Sequence, residues 1–465
     1  MFKIKIYEKN VNVYRCAVIA EQVDHLPLKI RKDSEMAWIG FAMVITFMVL
    51  IMTRRLSAVV ALILVPVVFG LIAGLGSGMG GMIMDGMRQV APIAIMLVFA
   101  ILLFSIMYDA GLFEPLVRMI TRFAGHDPLR ISLATAFLSA VTSLDGDGTS
   151  TVLIVMTAFL PVYLRIGMNP LIIALLILLT NTMINIIPWG GPTARVASAL
   201  HLDVMDVFVG LIPAALLGLV YATGVAWWLG LRERKRLGWE PGRDMLLADA
   251  DVKMPEVGSS HQRPKLVWIN LFLMLGMAGA MGTGLAPLPV VMVVTFALAL
   301  VINYPQLSEQ KKRIAAHAEN AVTVATLIFA AGVFTGILTG SGMVDAMSQS
   351  FVSIIPDAAG SYMALITAFA SLPFTFFMSN DAYFFGIVPI LAAAGAEYGV
   401  DPLHIARASM LGQPVHALSP LIAAIYVISG LLKREVGELQ KFALLPAIGA
   451  SLVFIFGAFL SGAIS

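Results

Sequence analysis

The sequence predicts an all-α polytopic membrane protein: two repeats of inverted topology, about ten full spans, two re-entrant hairpins and two broken helices. Three observations predict it. Of 465 residues, 59% are hydrophobic and only 12% charged, a balance far outside that of soluble domains. Apolar runs of membrane-crossing length recur along the chain. The two halves also match at an offset near 231, in five ordered places, which makes chance a poor explanation.

In chain order, residues 1–35 are polar, mixed in charge and without the apolar core of a signal peptide. Met36 opens the first apolar run, so the tail is read as a gene-model extension and Met36 as the true start. Full spans are expected at about 36–52, 57–76, 91–110, 170–200 and 206–230, then at 266–286, 288–303, 319–340, 403–430 and 440–463. The regions 129–165 and 361–397 each place two arms shorter than a span around a polar centre. That pattern suits a hairpin that enters and leaves on one side. The hydrophilic stretch 231–265 is expected to be a cytoplasmic linker between a first repeat, 36–230, and a second, 266–465.

Charge placement gives an orientation. With Arg54 and Arg55 in the cytoplasm, alternation of sides puts Arg118, Arg122, Arg130, Arg165, the basic run 232–236, Lys311 to Arg313, Lys433 and Arg434 inside. The loops left outside, 201–206, 341–360 and 397–402, hold acids and no Lys or Arg, as the positive-inside rule requires. The net charge of +2, from 30 basic and 28 acidic residues, offers no surface for nucleic acid. A single cysteine, Cys16, excludes a disulfide framework or a cysteine-built metal site.

The repeat is carried by named residues. Phe99 and Phe104 recur as Phe329 and Phe334, AGLFEPL from Ala110 as SGMVDAM from Ser341, Asp147 as Asp381, GMNP from Gly167 as GVDP from Gly399, and Pro188 as Pro420. Gly111 falls inside and Gly342 outside, so the repeats are inverted. Inverted repeats with interrupted helices are the pattern of secondary transporters, whose binding site lies near the midplane between the repeats.

Each half has two such interruptions: LDGDGTST (144–151) and NIIPWGGPTARVA (185–197), then MSNDAYFFG (378–386) and MLGQPVHALSP (410–420). Pro188, Pro192, Gly190 and Gly191 should break a helix. The break frees carbonyls for cations and amide groups for anions, and at membrane depth it is tolerated only in a protein-lined or wet cavity. Asp145, Asp147 and Asp381 sit at the hairpin tips. An Asp-Gly turn in solvent is the bland reading, but ionisable residues inside a membrane are functional by default. With Thr149, Ser150, Thr151, Ser379 and Asn380 beside them, they offer hard oxygens of the kind Mg²⁺ or Ca²⁺ prefers, or a proton-accepting carboxylate. An EF-hand is excluded, because the twelfth position from Asp145 is Met156.

Arg195 lies on the outer half of the first broken helix, and Arg407 near the outer end of the matching span. Either could bind a carboxylate bidentately, though Arg near an interface more often snorkels. His416 could relay a proton or make an interhelical hydrogen bond. The candidate substrate-binding residues are therefore Thr149, Ser150, Asn185, Gly190, Gly191, Thr193, Arg195, Ser379, Asn380, Gln413 and His416. Asp145, Asp147 and Asp381 are the candidates for metal or proton coupling. No catalytic arrangement emerges, so an enzyme is not expected.

The stretches LDGDGTSTVLIVMTAFLPVY, MNPL, PWGGPTARVASAL, MSNDAYFFGIVPIL and ARASMLGQPVHALSPL together resemble the citrate-metal-proton symporter family of the ion transporter superfamily. The resemblance runs from Met36 nearly to the end. It implies a bacterial inner-membrane carrier of citrate complexed with Mg²⁺ or Ca²⁺, cotransported with protons, with no permanently bound cofactor. By similarity to the superfamily it also implies a homodimer and an elevator-like movement of a hairpin-bearing domain. Related sodium-coupled symporters carry Ser-Asn-Thr at each hairpin tip. Here the second tip reads Ser379, Asn380, Asp381 and the first departs further, which suits a metal or a proton better than sodium. The competing expectations are a proton- or sodium-coupled carrier of gluconate or a dicarboxylate, a sodium-proton antiporter, or a membrane-embedded sensor without turnover.

Overall fold

The structure, a computed structural model, describes residues 28–146, 148–240, 262–352 and 356–465. Every regular element among the described residues is helical. The first half runs α1 (Leu28–Met52), α2 (Ala58–Ile72), α3 (Met79–Asp109), α4 (Glu114–Ala124), a hairpin of α5 (Pro128–Thr142) and α6 (Gly148–Ile166), then α7 (Leu171–Ile184), α8 (Gly191–Leu200) and α9 (Val204–Leu237). The second half runs α10 (Val267–Gly282), α11 (Leu288–Asn303), α12 (Leu307–Gly340), α13 (Met343–Val352), a hairpin of α14 (Met363–Phe377) and α15 (Val388–Glu397), then α16 (Pro402–Ser409), α17 (Ala423–Leu432) and α18 (Val436–Leu460).

The order of long, short, paired and broken helices is the same in both halves. Left-handed residues that end helices recur as well. Gly111 and Gly342 have φ of 81° and 76°, Gly167 and Gly399 both 76°, and His201 and Lys433 55° and 52°. Glycine at such helix ends avoids the Cβ clash of that conformation.

Among the described residues, six helices are long and apolar enough to cross a membrane: Glu35–Met52 within α1, α3, α9, Pro264–Gly282 including α10, α12 and α18. The hairpin arms α5 and α14 have 15 residues each. At 1.5 Å per residue that is roughly 22 Å, short of a hydrocarbon core of roughly 30 Å. α1 begins at Leu28 and takes in the last residues of the polar tail. Between the halves, α9 continues to Leu237 and a single 3₁₀ turn, Pro264–Leu266, precedes α10. The rest of the expected linker and of the tail lies outside the described residues.

The two halves meet along α3 and α12, the most extensive helix pair. Glycines permit it. A Cβ on Gly86 would lie 2.1 Å from the Gly332 carbonyl oxygen, and one on Gly336 2.4 Å from that of Met82. Gly332, Gly336 and Gly340 repeat every fourth residue, a small-residue face that lets backbones approach where lipid gives no hydrophobic drive to pack.

A ladder of buried hydroxyls holds the first hairpin. Thr135 pairs with Tyr163 across its arms at 3.2 Å, Thr180 of α7 donates to Ser139 at 2.6 Å, and Asn181 donates to Ser143 at 3.0 Å. Each rung is worth roughly 0.6 kcal/mol. Their sum fixes the depth and rotation of the tip more than it adds stability.

Candidate functional site

The first hairpin turns through a 3₁₀ segment, Ser143–Asp145, and Gly146 at φ 79°. A Cβ on Gly146 would also sit 3.1 Å from the Trp189 carbonyl oxygen, so the tip presses on the break of the α7–α8 helix. Trp189 returns the contact: its indole donates to the Leu144 carbonyl at 2.9 Å and its ring stacks on Phe104 at 5.3 Å. Ser150, at the start of α6, donates to the Asp145 carboxylate at 2.8 Å. Asp147 lies outside the described residues, as does the side chain of Thr149.

The break runs from Asn185 to Gly190. Gly190 is obligatory there, because a Cβ would fall 2.0 Å from the Asn185 carbonyl oxygen. The Thr193 hydroxyl donates back to the Ile186 carbonyl at 2.6 Å and so acts on the break itself. The Asn185 amide oxygen is buried without a hydrogen-bond partner. α8 then starts at Gly191 with its first amides free of helix acceptors, a site that favours negative charge.

Arg195, one turn into α8, joins the halves. Its Nε donates to Asp381 of the second hairpin tip at 2.7 Å, and its Nη1 to the Gly191 carbonyl at 3.1 Å. The two side chains are 24% and 18% exposed. The second tip is partly self-satisfied: Ser379 accepts from the Ala382 amide at 3.2 Å, and Gln413 donates to Asn380 at 3.1 Å. After Asp381 the chain makes a π-helical turn, Ala382–Ile387, a distortion found mostly at functional sites.

One cavity of about 600 Å³ collects part of this set. Asp145, Gly146, Ser150, Trp189, Gly191 and Arg195 form one wall. Facing them are α3, through Phe104, Ser105 and Tyr108, and α12, through His317, Asn320 and Thr323. Asp381 adjoins through Arg195. His416 does not line it; it is buried, its Nδ1 2.5 Å from the Thr375 carbonyl. Arg407 is also turned away, donating to the Asp206 and Ala463 carbonyls at 2.7 and 3.4 Å.

The sequence reading missed the α3 and α12 wall. Its signal was present as spacing: His317, Asn320, Val324 and Leu327 follow one another at three or four residues on one helical face. The run begins in polar, solvated sequence, which hid it.

Residues 37–412 match the citrate transporter family. The chain belongs to that family. Two relatives from Bacillus subtilis (strain 168) align over 92% of this citrate transporter family member. One, a citrate transporter, is 50% identical and matched over its full length. The other, a Mg²⁺/citrate complex secondary transporter, is 46% identical and matched over 99% of its length. The family and these relatives are transporters, not enzymes. The fold is similar to that of the YdaH transporter of Alcanivorax borkumensis, described as having an unusual topology. That likeness has a TM-score of 0.52 at 15% identity and covers 82% of this chain and 86% of the other. With its apolar spans, the citrate transporter family member is a multi-pass membrane protein.

Proposed function

We propose that the protein is a secondary active transporter that takes up citrate as a divalent-metal complex, in symport with protons, across the bacterial inner membrane. The observation that carries the reading is the composition of one cavity, where the Asp145 carboxylate and Ser150 hydroxyl share a space with the Arg195 guanidinium and the start of α8. Such a site suits a cargo that is part cation and part anion. A citrate trianion is expensive to move through a low-dielectric path, whereas its complex with Mg²⁺ or Ca²⁺ carries one net negative charge. Asp145 and Ser150 would offer hard oxygens to the cation, and citrate carboxylates and water would complete a shell of about six. Asp147 belongs to the same group in this reading. Arg195 and the first amides of α8 would hold the anionic remainder. The Bacillus relative named for a Mg²⁺/citrate complex supports this cargo.

In this reading the partner of Arg195 is the residue that couples protons. While Asp381 is ionised it occupies the Nε donor at 2.7 Å. A proton on Asp381 removes that competitor, so the guanidinium turns to a cargo carboxylate and the proton and the anion load together. Movement is elevator-like: the hairpins and broken helices, linked through Arg195 and Asp381, carry the cargo against α1–α3 and α10–α12, in a homodimer.

Ligand-dependent thermal unfolding of the purified protein tests the cargo. Citrate should raise the midpoint with Mg²⁺ or Ca²⁺ present and lose the effect with a chelator. Protection by citrate alone would contradict metal loading, and protection by gluconate or a dicarboxylate instead of citrate would move the assignment to that anion.

A further inference from the structure

The wall opposite Arg195 carries an acid–base cluster that none of the roles above uses. His317, on α12, lines the cavity. Its Nε2 lies 2.8 Å from Asp109 at the end of α3, and Arg313 donates to the same carboxylate oxygen at 3.1 Å. The three side chains are 21%, 12% and 13% exposed in the order His317, Asp109, Arg313. The carboxylate is thus neutralised by Arg313 and at the same time orients the imidazole. With Nε2 directed to Asp109, Nδ1 is the ring nitrogen left to meet a carboxylate of the cargo.

In the orientation set by the basic loops, this end of α3 and of α12 faces the cytoplasm, so His317 stands between the Asp145–Arg195 wall and the cytoplasm. The charged and titratable groups around it are Tyr108 and Asp109 on α3, Arg313 on its own helix, and Arg195 and Asp145 across the cavity. Arg263, whose ring neighbour is Tyr304 at 5.0 Å, adjoins Asp109 through its backbone amide, which donates to the Ala110 carbonyl at 2.9 Å.

We propose that His317, oriented by Asp109, is the proton-bearing ligand of the cytoplasmic wall: its imidazolium holds a carboxylate of the cargo, and loss of its proton to the cytoplasm releases that carboxylate. The step is balanced. The Nδ1–H bond breaks, cytoplasmic water takes the proton, and the neutral ring no longer holds the anion as a charge-assisted donor. Asp109 is a positioning residue, acting through the ring. The proposal rests on the citrate reading above, but not on which metal is carried.

The test is the pH dependence of the KM for citrate at the cytoplasmic face, in inside-out vesicles with metal present. In wild type, KM should rise about tenfold as the cytoplasmic pH is raised. H317Q should show the high KM at every pH, and D109N should weaken the pH dependence while the ring remains. Wild-type pH dependence in H317Q would overturn the proposal, as would an unchanged pH dependence in D109N. A measurement on the unaltered protein covers the case in which neither variant inserts. Diethyl pyrocarbonate should modify His317, and metal-citrate should block that modification; no modification, or modification that cargo does not slow, also overturns it. If wild type moves no citrate at all, the citrate reading fails instead, which separates the two outcomes.

Discussion

At the scale of single residues, the proposed site assigns the two charges of the cargo to two side chains with different surroundings. Asp145 is held by a hydroxyl, Ser150, and faces the cavity, whereas Arg195 is held by an acid across the repeat boundary. Asp145→Asn keeps the size of the side chain and removes its charge. It should lower metal-dependent citrate uptake by at least about tenfold, equivalent to about 1.4 kcal/mol, while the protein still inserts; uptake at the wild-type rate would remove Asp145 from the site. Asp127, in the loop before α5, tests stability instead. Burial raises its carboxyl, but donation from Arg234, the Leu129 amide and the charge of Arg130 outweigh that and hold it below the ordinary range. A carboxyl depressed in the folded state stabilises above its unfolded pKa of about 3.9 and loses that contribution as pH falls through the folded value. The thermal midpoint should therefore drop on acidification toward about pH 3, and Asp127→Asn should start lower and fall less steeply. An identical acid limb in the variant would show that the pairing with Arg234 contributes nothing. Asp145 and Arg195 were legible as candidates because Asp-Gly turns and a proline-glycine break stand out inside apolar runs. Their partners were not, because Arg195 and Asp381 are 186 residues apart and Asp109 and His317 are 208 apart. His416 was read as a relay or a hydrogen-bonding residue, and only the packing of the second hairpin against the short Gln413–His416 turn decides that its ring meets a backbone carbonyl.

At the scale of elements, the proposed function depends on helices that are interrupted or short. Pro188 and the Gly190–Gly191 pair end α7 and restart the chain as α8, and the first arm of each hairpin, 15 residues long, leads to an acidic tip. The same short arms and breaks were readable in the sequence, since polar residues interrupt runs that are otherwise apolar. Register between long helices was not readable. The α3–α12 contact depends on glycines that look like ordinary small residues until a Cβ is placed on them. Gly336→Leu would drive a side chain into the Met82 backbone, 2.4 Å away. Overpacking of this kind costs about 1–3 kcal/mol. It should lower the thermal midpoint and reduce the folded fraction in size-exclusion chromatography, and a variant as stable as wild type would mean that the two helices separate more easily than their packing implies.

At the scale of the molecule, the repeat explains why one chain can hold a site between its halves. Equivalent left-handed residues recur with an offset of 231 or 232, and the α8 of the first half reaches the hairpin tip of the second through Arg195. Composition and periodicity were enough to read the helical, polytopic class, because a chain that is 59% hydrophobic has few other ways to satisfy its backbone. The central claim, metal-citrate moved by a proton gradient, is tested most directly by uptake of labelled citrate into proteoliposomes under an imposed pH gradient, with Mg²⁺, Ca²⁺ or a chelator outside. Uptake that rises with metal and with an inward proton gradient is expected, the more effective cation being the one carried; uptake that is insensitive to both chelator and gradient would contradict the claim.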